Sequence, residues 1–402
     1  MSNETKNLPV AQKILKRIFG MNTLTIIGAI IASLLIGALI VVIFDKDVQT
    51  AAASFTTNPS AFFAEVGNSL QGFFSSLFRG SIYDYNARNS TRAIKPLFET
   101  LTRAVPLIIA GLAITVAFRA GLFNIGVQGQ LSMGAIFATI AGIHLNLPYG
   151  IHLLVAVLAA IAGGMLWGAI PGFLKAKLGA NEVIVTIMMN AVTIQLLAFL
   201  LRQEFLIGGG TQGKSQMIQD TAAYPRLLGD VLRLDFSIIV ALLAAAFVWW
   251  LLERSTFGFE LRAVGANPDA ARTAGMSVPR VILLTMAISG ALAGLAGTAP
   301  VLGTERFLAN SSAGSFGFDA ITVALLGKAT PLGTVLAGIL FGALSAGSST
   351  MQAAAGIPVD IVQITQAVIV LLIAASEAVR YYQAKRKVAQ AATANTVKGA
   401  EK

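Results

Sequence analysis

There is no cysteine anywhere in the 402 residues of this chain. That excludes disulfide frameworks, iron–sulfur clusters and thiolate metal sites. Histidine is nearly as scarce, with only His144 and His152. No carboxylate lies between them, so the donors are too few for a metal centre, and both read as interfacial residues at the ends of two apolar runs. Charge is also sparse: Asp, Glu, Lys and Arg make up 12% of the chain, against about 25% in soluble domains. What is abundant is apolar, with 55% hydrophobic residues and a mean hydropathy of +0.75. A chain so short of charge cannot cover a soluble surface, and it reads as an integral membrane protein. The net charge of +10 does not indicate nucleic acid, because the cations gather at the ends of apolar runs, where they set topology.

A helix that crosses a bilayer needs about 20 mostly apolar residues. On that rule spans fall at 23–44, 97–118, 121–143, 151–173, 182–201, 236–252, 281–303, 311–328, 331–348 and 361–379. The expected fold is all-α: a polytopic membrane protein of about ten spans. Residues 1–22 form a basic tail, and 23–44 a retained first span, too long for the apolar part of a cleaved signal. Residues 45–96 form an external segment in which 61–78 suits an amphipathic helix lying in the interface. The core runs over 97–380, and 381–402 is a polar tail expected to be disordered. Lys and Arg place both termini in the cytoplasm, together with Lys175, Lys177, Lys328 and the 253–280 loop. The external stretch 79–103, with five Lys/Arg, departs from that rule.

GGGTQGKS at 208–215 matches the phosphate-loop pattern, with Gly208, Gly213, Lys214 and Ser215 on its fixed positions. A working phosphate loop sits between a buried strand and a helix in a parallel sheet. Here it follows a membrane span in a short external connection, so it reads as a flexible loop and not as a nucleotide site.

Four stretches carry more weight. In 253–280, apolar residues alternate with charges, and Asn267-Pro268 begins a short helix with Asn as cap and Pro in the first turn. Gly275 ends it; a solvated surface helix would read the same way. AFRAGLFNIGVQGQLSMGA, 117–135, sets Asn124, Gln128 and Gln130 among glycines. Amides inside a span face protein or a watery path, and the glycines equally suit close helix packing. FGFDAITVALLGKATPLGTVLAG, 316–338, repeats that order of Phe, Gly and polar residue around Asp319. Two glycine-interrupted spans in corresponding positions, running in opposite directions, suggest inverted repeats with broken helices. In LGANEVIVTIMMNAVTIQL, 178–196, Glu182 suits a helix start and Asn190 lies mid-span.

Together these stretches resemble the membrane permease of an ABC importer, in the branch for simple sugars, nucleosides and branched-chain amino acids. AFRAGLFNIGVQGQL is similar to that branch's F-N-I-G-x-x-G-Q signature; NEVIVTIMMN, ELRAVGANPDAARTAGM, AISGALAGLAG and FDAITVALLGKATPLG follow in order. The likeness covers about 97–380 and is nearest to nucleoside permeases, with ribose and other simple-sugar permeases as the alternative. It implies a multi-pass protein of a bacterial cytoplasmic membrane that does no chemistry itself. ATP and magnesium would sit on a separate cytoplasmic ATP-binding subunit, and this chain would hold no cofactor. The other implied partners are a second permease subunit, expected to be a different chain, and an extracellular substrate-binding lipoprotein. The implied coupling helix would use Glu260, Arg262, Gly265, Asn267, Pro268, Ala271, Ala274 and Gly275. The substrate path is expected to use Phe123, Asn124, Gln128, Gln130, Asn190 and Asp319. A secondary transporter would need mid-span carboxylates, which are nearly absent, and an intramembrane enzyme would need a nucleophile and base or metal ligands.

Overall fold

The computed structural model describes residues 21–209, 213–229 and 231–376. Almost all of the expected 1–22 tail, and the whole 381–402 tail, lie outside them. The described chain is helical, with only isolated β-bridges in its loops. It divides into two compact units, residues 75–351 and residues 1–74 with 352–402.

In the smaller unit, α1 (Met21–Phe44) is an apolar helix. It is followed by α2 (Lys46–Ala53), capped by Asp45, and by the start of α3 (Pro59–Ser81). Along α3, Phe63, Phe74 and Phe78 are exposed, while Phe73 is buried. After α14 (Pro331–Ala355) comes α15 (Asp360–Ser376). Gly37 of α1 lies so close to Thr365 of α15 that any Cβ would overlap the threonine hydroxyl.

The larger unit is built around α4 (Ser90–Arg119), whose residues 104–117 are all buried. Asn89 caps it by accepting from Arg92 N at 2.9 Å. The helices that follow are α5 (Val127–His144), α6 (Ile151–Leu178), α7 (Glu182–Leu200), the single turn α8 (Glu204–Ile207) and α9 (Ser237–Arg254). Then come α10 (Thr256–Ala266), α11 (Pro268–Thr273), α12 (Val278–Ala296) and α13 (Phe316–Leu326). The tightest seam joins antiparallel α6 and α12. Added Cβ atoms at Gly164, Gly168, Gly290 or Gly294 would overlap backbone of the opposing helix. In lipid, where apolar surface has no reason to hide, such close backbone approach is what holds helices together.

Among the described residues, seven helices are long and apolar enough to cross a membrane. The other three expected spans fall on α5, α13 and α15, and their bounds differ from expectation. The 121–143 run is unwound from Gly121, which sits at φ 70, up to Gly126, so the helix begins only at Val127. The 311–328 run is reduced to the 11 residues of α13, about 16 Å of helix, half of a bilayer core of about 30 Å. The 281–303 run stops at Ala296 and continues as a wide π-turn, Ala299–Thr304. Glycines and Pro300 explain each break.

Candidate functional site

The two broken helices meet at their starts. Gln128, in the first turn of α5, accepts from Gly317 N at 2.8 Å and donates to Gly314 O at 2.8 Å. α5 and α13 then run in opposite directions. Behind this joint lies a closed amide net. Asn124 donates through Nδ2 to Gln130 Oε1 and to Ser289 Oγ, both at 2.9 Å. Its Oδ1 accepts from Gly126 N at 3.0 Å and Gln130 Nε2 at 3.1 Å. Ser289 passes the connection on to Ala113 O of α4 at 2.8 Å. Asn190 of α7 accepts from Gly129 N at 2.8 Å and donates to Ile125 O at 2.9 Å. Asn124, Gln128, Gln130 and Asn190 are all buried. Their polar atoms serve the unwound link and the helix starts, whose backbone groups would otherwise be orphaned.

The other two residues expected on the path stand apart. Phe123 is exposed and leans on Phe118 with ring centroids 5.1 Å apart. Asp319, half-buried in the first turn of α13, accepts from Ser315 Oγ at 2.6 Å. Sequence reading passed over Gln195, which is exposed in the last third of α7 on the same surface as Met188 and Val192. Glu182 starts α7 in an ion pair with Lys175 at 2.5 Å, and Asn181 caps the same helix.

The segment expected to couple forms two helices. Asn267 closes α10 and caps α11, accepting from Asp269 N at 3.0 Å and Ala270 N at 3.1 Å, with Pro268 at its start. Gly275 ends the turn at φ 85. Ala271 is buried and anchors α11, while Asn267, Pro268, Ala274 and Gly275 are exposed. Glu260 is half-buried, and Arg262 donates to Leu252 O and pairs with Glu253 at 3.7 Å. Gly265 packs on the end of α4, where a Cβ would overlap Arg119 O. Arg119 Nε in turn donates to Ala329 O, just past α13, at 2.7 Å. One joint therefore ties the segment expected to couple, the end of α4 and the end of α13.

At the opposite end of the same helices lies a cavity of about 260 Å³. Its polar lining includes Glu99 and Arg103 of α4, Arg233, Ser237 and Glu305, and Phe316 is among its apolar lining. No motif marked these residues, because they come from four separated elements. The loop holding GGGTQGKS crosses this end. Ser215 N donates to Leu308 O at 2.7 Å, Ile218 N to Arg306 O at 2.9 Å and Tyr224 N to Leu302 O at 2.8 Å. Ser215 is buried, its hydroxyl donating to Gln216 O and accepting from Leu308 N. Lys214 Nζ lies over the Phe307 ring, 5.8 Å from its centroid. The turn α8 precedes the motif and a 3₁₀ turn at Asp220–Ala222 follows it, so the strand and helix of a phosphate loop are missing from the described residues. Beside this loop Asp235 is buried, and burial holds its carboxyl above the usual range. His152, the second residue of α6, is also buried, with Thr221 Oγ1 at 2.7 Å from Nδ1 and Ala141 O at 3.0 Å from Nε2.

The family model "Branched-chain amino acid transport system / permease component" matches residues 97–384. The guanosine ABC transporter permease NupP of Bacillus subtilis is 44% identical over 294 residues, 72% of this chain and 84% of that protein. The glucose ABC transporter permease TsgB13 of Haloferax volcanii is 36% identical over 71% of this chain and 78% of its own length. A second guanosine permease of the same Bacillus strain, NupQ, is 28% identical over 60% of this chain and 78% of its own. No solved structure matches the chain significantly. The match of the family model, running from the first third of α4 past the end of α15, places this chain among the permease components of ABC transport systems.

Proposed function

We propose that this permease carries nucleosides across a bacterial cytoplasmic membrane, driven by a separate ATP-binding subunit that docks on α11. The observation that carries the substrate class is the 44% identity to a guanosine permease over most of the core. The glucose permease at 36% favours a simple sugar as the second reading. Both termini face the cytoplasm, as the Lys/Arg distribution indicates, so the coupling segment is inside and the cavity end outside. A substrate-binding lipoprotein delivers from the outside. The second permease is a different chain: one Bacillus strain has two guanosine permeases, which this chain matches very unequally.

The substrate path runs along the surface that α7 shares with that second permease, where Gln195 has no place facing lipid. Phe123 and Asp319 contribute to it. The buried amides Asn124, Gln128, Gln130 and Asn190 shape this wall by fixing the broken helix starts. ATP-driven movement of α11 reaches α4 and α13 through Gly265, Arg119 and Ala329. Nothing in this chain needs ATP or magnesium of its own.

Uptake of labelled guanosine, uridine and ribose, in cells lacking the gene and with it restored, tests the substrate. Loss and rescue of nucleoside uptake alone supports the proposal; loss of ribose uptake alone replaces it with the sugar reading. Ala274→Asp tests coupling, because the side chain is exposed and the change leaves the backbone bond to Ala270 O in place. We expect uptake to fall at least tenfold with the chain still in the membrane, and the ATP-binding subunit to co-purify poorly. Normal uptake would remove α11 from the docking face.

A further inference from the structure

The cavity opposite the coupling segment has polar groups that the fold does not consume. Glu99 accepts from Arg103 Nε at 3.2 Å through Oε1, and among the described residues no hydrogen bond engages its Oε2. Glu305 accepts from Ser312 at 2.5 Å through Oε2, leaving Oε1 open. Arg103 uses Nη1 on Ser345 O at 3.1 Å and Ser345 Oγ at 3.3 Å, leaving Nη2. Arg233 is exposed, makes no ion pair among the described residues, and has a left-handed backbone at φ 52. A non-glycine residue in that conformation is held there by its surroundings. The lining also carries apolar surface, from Pro106, Pro300 and Phe316.

Charge and size narrow the ligand. Two carboxylates and two guanidinium groups cancel, so an anion such as a phosphate ester gains from the arginines and loses to Glu99 and Glu305. Open acceptors beside open donors suit neighbouring hydroxyls, each of which gives one hydrogen bond and takes another. The Phe316 face suits a flat ring. A volume of about 260 Å³ falls just below the ordinary range of about 300–1,000 Å³ for small-molecule sites, which favours a compact ligand. Gln128 holds Gly314 and Gly317 on either side of Phe316, so the aromatic wall is fixed by the same joint that aligns the broken helices.

We infer that this cavity is a binding site for a neutral nucleoside, with the sugar hydroxyls on Glu99, Glu305 and Arg103 and the base against Phe316. The inference rests on the nucleoside reading above and adds a place where this chain itself holds the substrate, apart from the α7 surface. It also excludes nucleoside phosphates as ligands of the site.

The natural absence of cysteine supplies the test. Thr304→Cys, which lines the cavity, and Thr91→Cys, exposed outside it, are each introduced into the full transporter in membrane vesicles. Labelling by a membrane-impermeant maleimide is timed with and without guanosine, guanosine monophosphate or ribose at millimolar concentration. Guanosine should slow labelling of Thr304→Cys at least fivefold and leave Thr91→Cys unchanged, and the monophosphate should not protect. Adding Phe316→Leu should abolish the protection. If Thr304→Cys assembles poorly, Ser345→Cys replaces it. Unchanged labelling in a transporter that still takes up guanosine overturns the cavity assignment and leaves the nucleoside reading intact. Equal protection by the monophosphate overturns the neutral-ligand argument. Protection by ribose alone, with no guanosine uptake, overturns the nucleoside reading itself.

Discussion

The polar residues at the centre of the core and those around the cavity differ in what they leave unbonded. Asn124 makes four hydrogen bonds within the chain and none of its amide capacity points elsewhere. Glu99, Arg103 and Glu305, by contrast, each keep part of their hydrogen-bonding capacity open. A buried polar side chain in a membrane protein is therefore not in itself a mark of a path. On our proposal the satisfied ones hold shape and the partly satisfied ones hold a ligand.

The largest effect that sharpens this contrast is expected at Asn124. Asn124→Leu orphans the groups around Gly126, Gln130 and Ser289, and each buried orphan costs about 1–3 kcal/mol. The detergent-solubilised complex should melt several degrees lower, and uptake should fall with membrane level. Asn190→Leu removes two bonds in place of four, and its loss should be smaller but of the same kind. If either variant melted normally while uptake changed its substrate preference, the central amides would be ligand groups and the contrast would collapse.

At the cavity the balance should reverse. Glu99→Gln weakens a half-exposed ion pair with Arg103, worth about 0–1 kcal/mol, so melting should barely move while nucleoside uptake drops severalfold. A melting loss as large as that of Asn124→Leu would make Glu99 a structural residue.

Asp235 offers a smaller, pH-dependent test. Burial raises its folded-state pKa above the ordinary 3.8. The folded chain therefore takes up a proton before the unfolded chain does as pH falls. Its ionised form costs stability at neutral pH, and that cost disappears as pH falls toward 3.8. Asp235→Asn keeps an acceptor for Ser237 N and lacks the titration. Relative to this variant, the natural chain should gain melting temperature on acidification; parallel pH curves would contradict it. Smallest of all is Lys214→Ala. Among the described residues its ammonium meets only an aromatic ring, so the change should stay within about 0.5 kcal/mol, with uptake unaltered. A large loss of ATP-driven uptake would revive the phosphate-loop reading of GGGTQGKS.

Much of this protein could be read from local pattern. Sparse charge and long apolar runs specify membrane helices wherever they occur, because backbone in lipid must satisfy itself. Asn267-Pro268 and Gly275 define α11 by capping chemistry confined to a few residues. The glycine-interrupted runs near 121 and 311 announce breaks without showing where they fall. Only the tertiary structure decided what the amides do, since Gln128 meets Gly317 and Asn190 meets Gly129 across long stretches of chain. It likewise gathered Glu99, Arg103, Arg233, Glu305 and Phe316 around one cavity. Apolarity and capping act between near neighbours and are written in sequence; whether a polar group is satisfied depends on which distant backbone packing brings within about 3 Å.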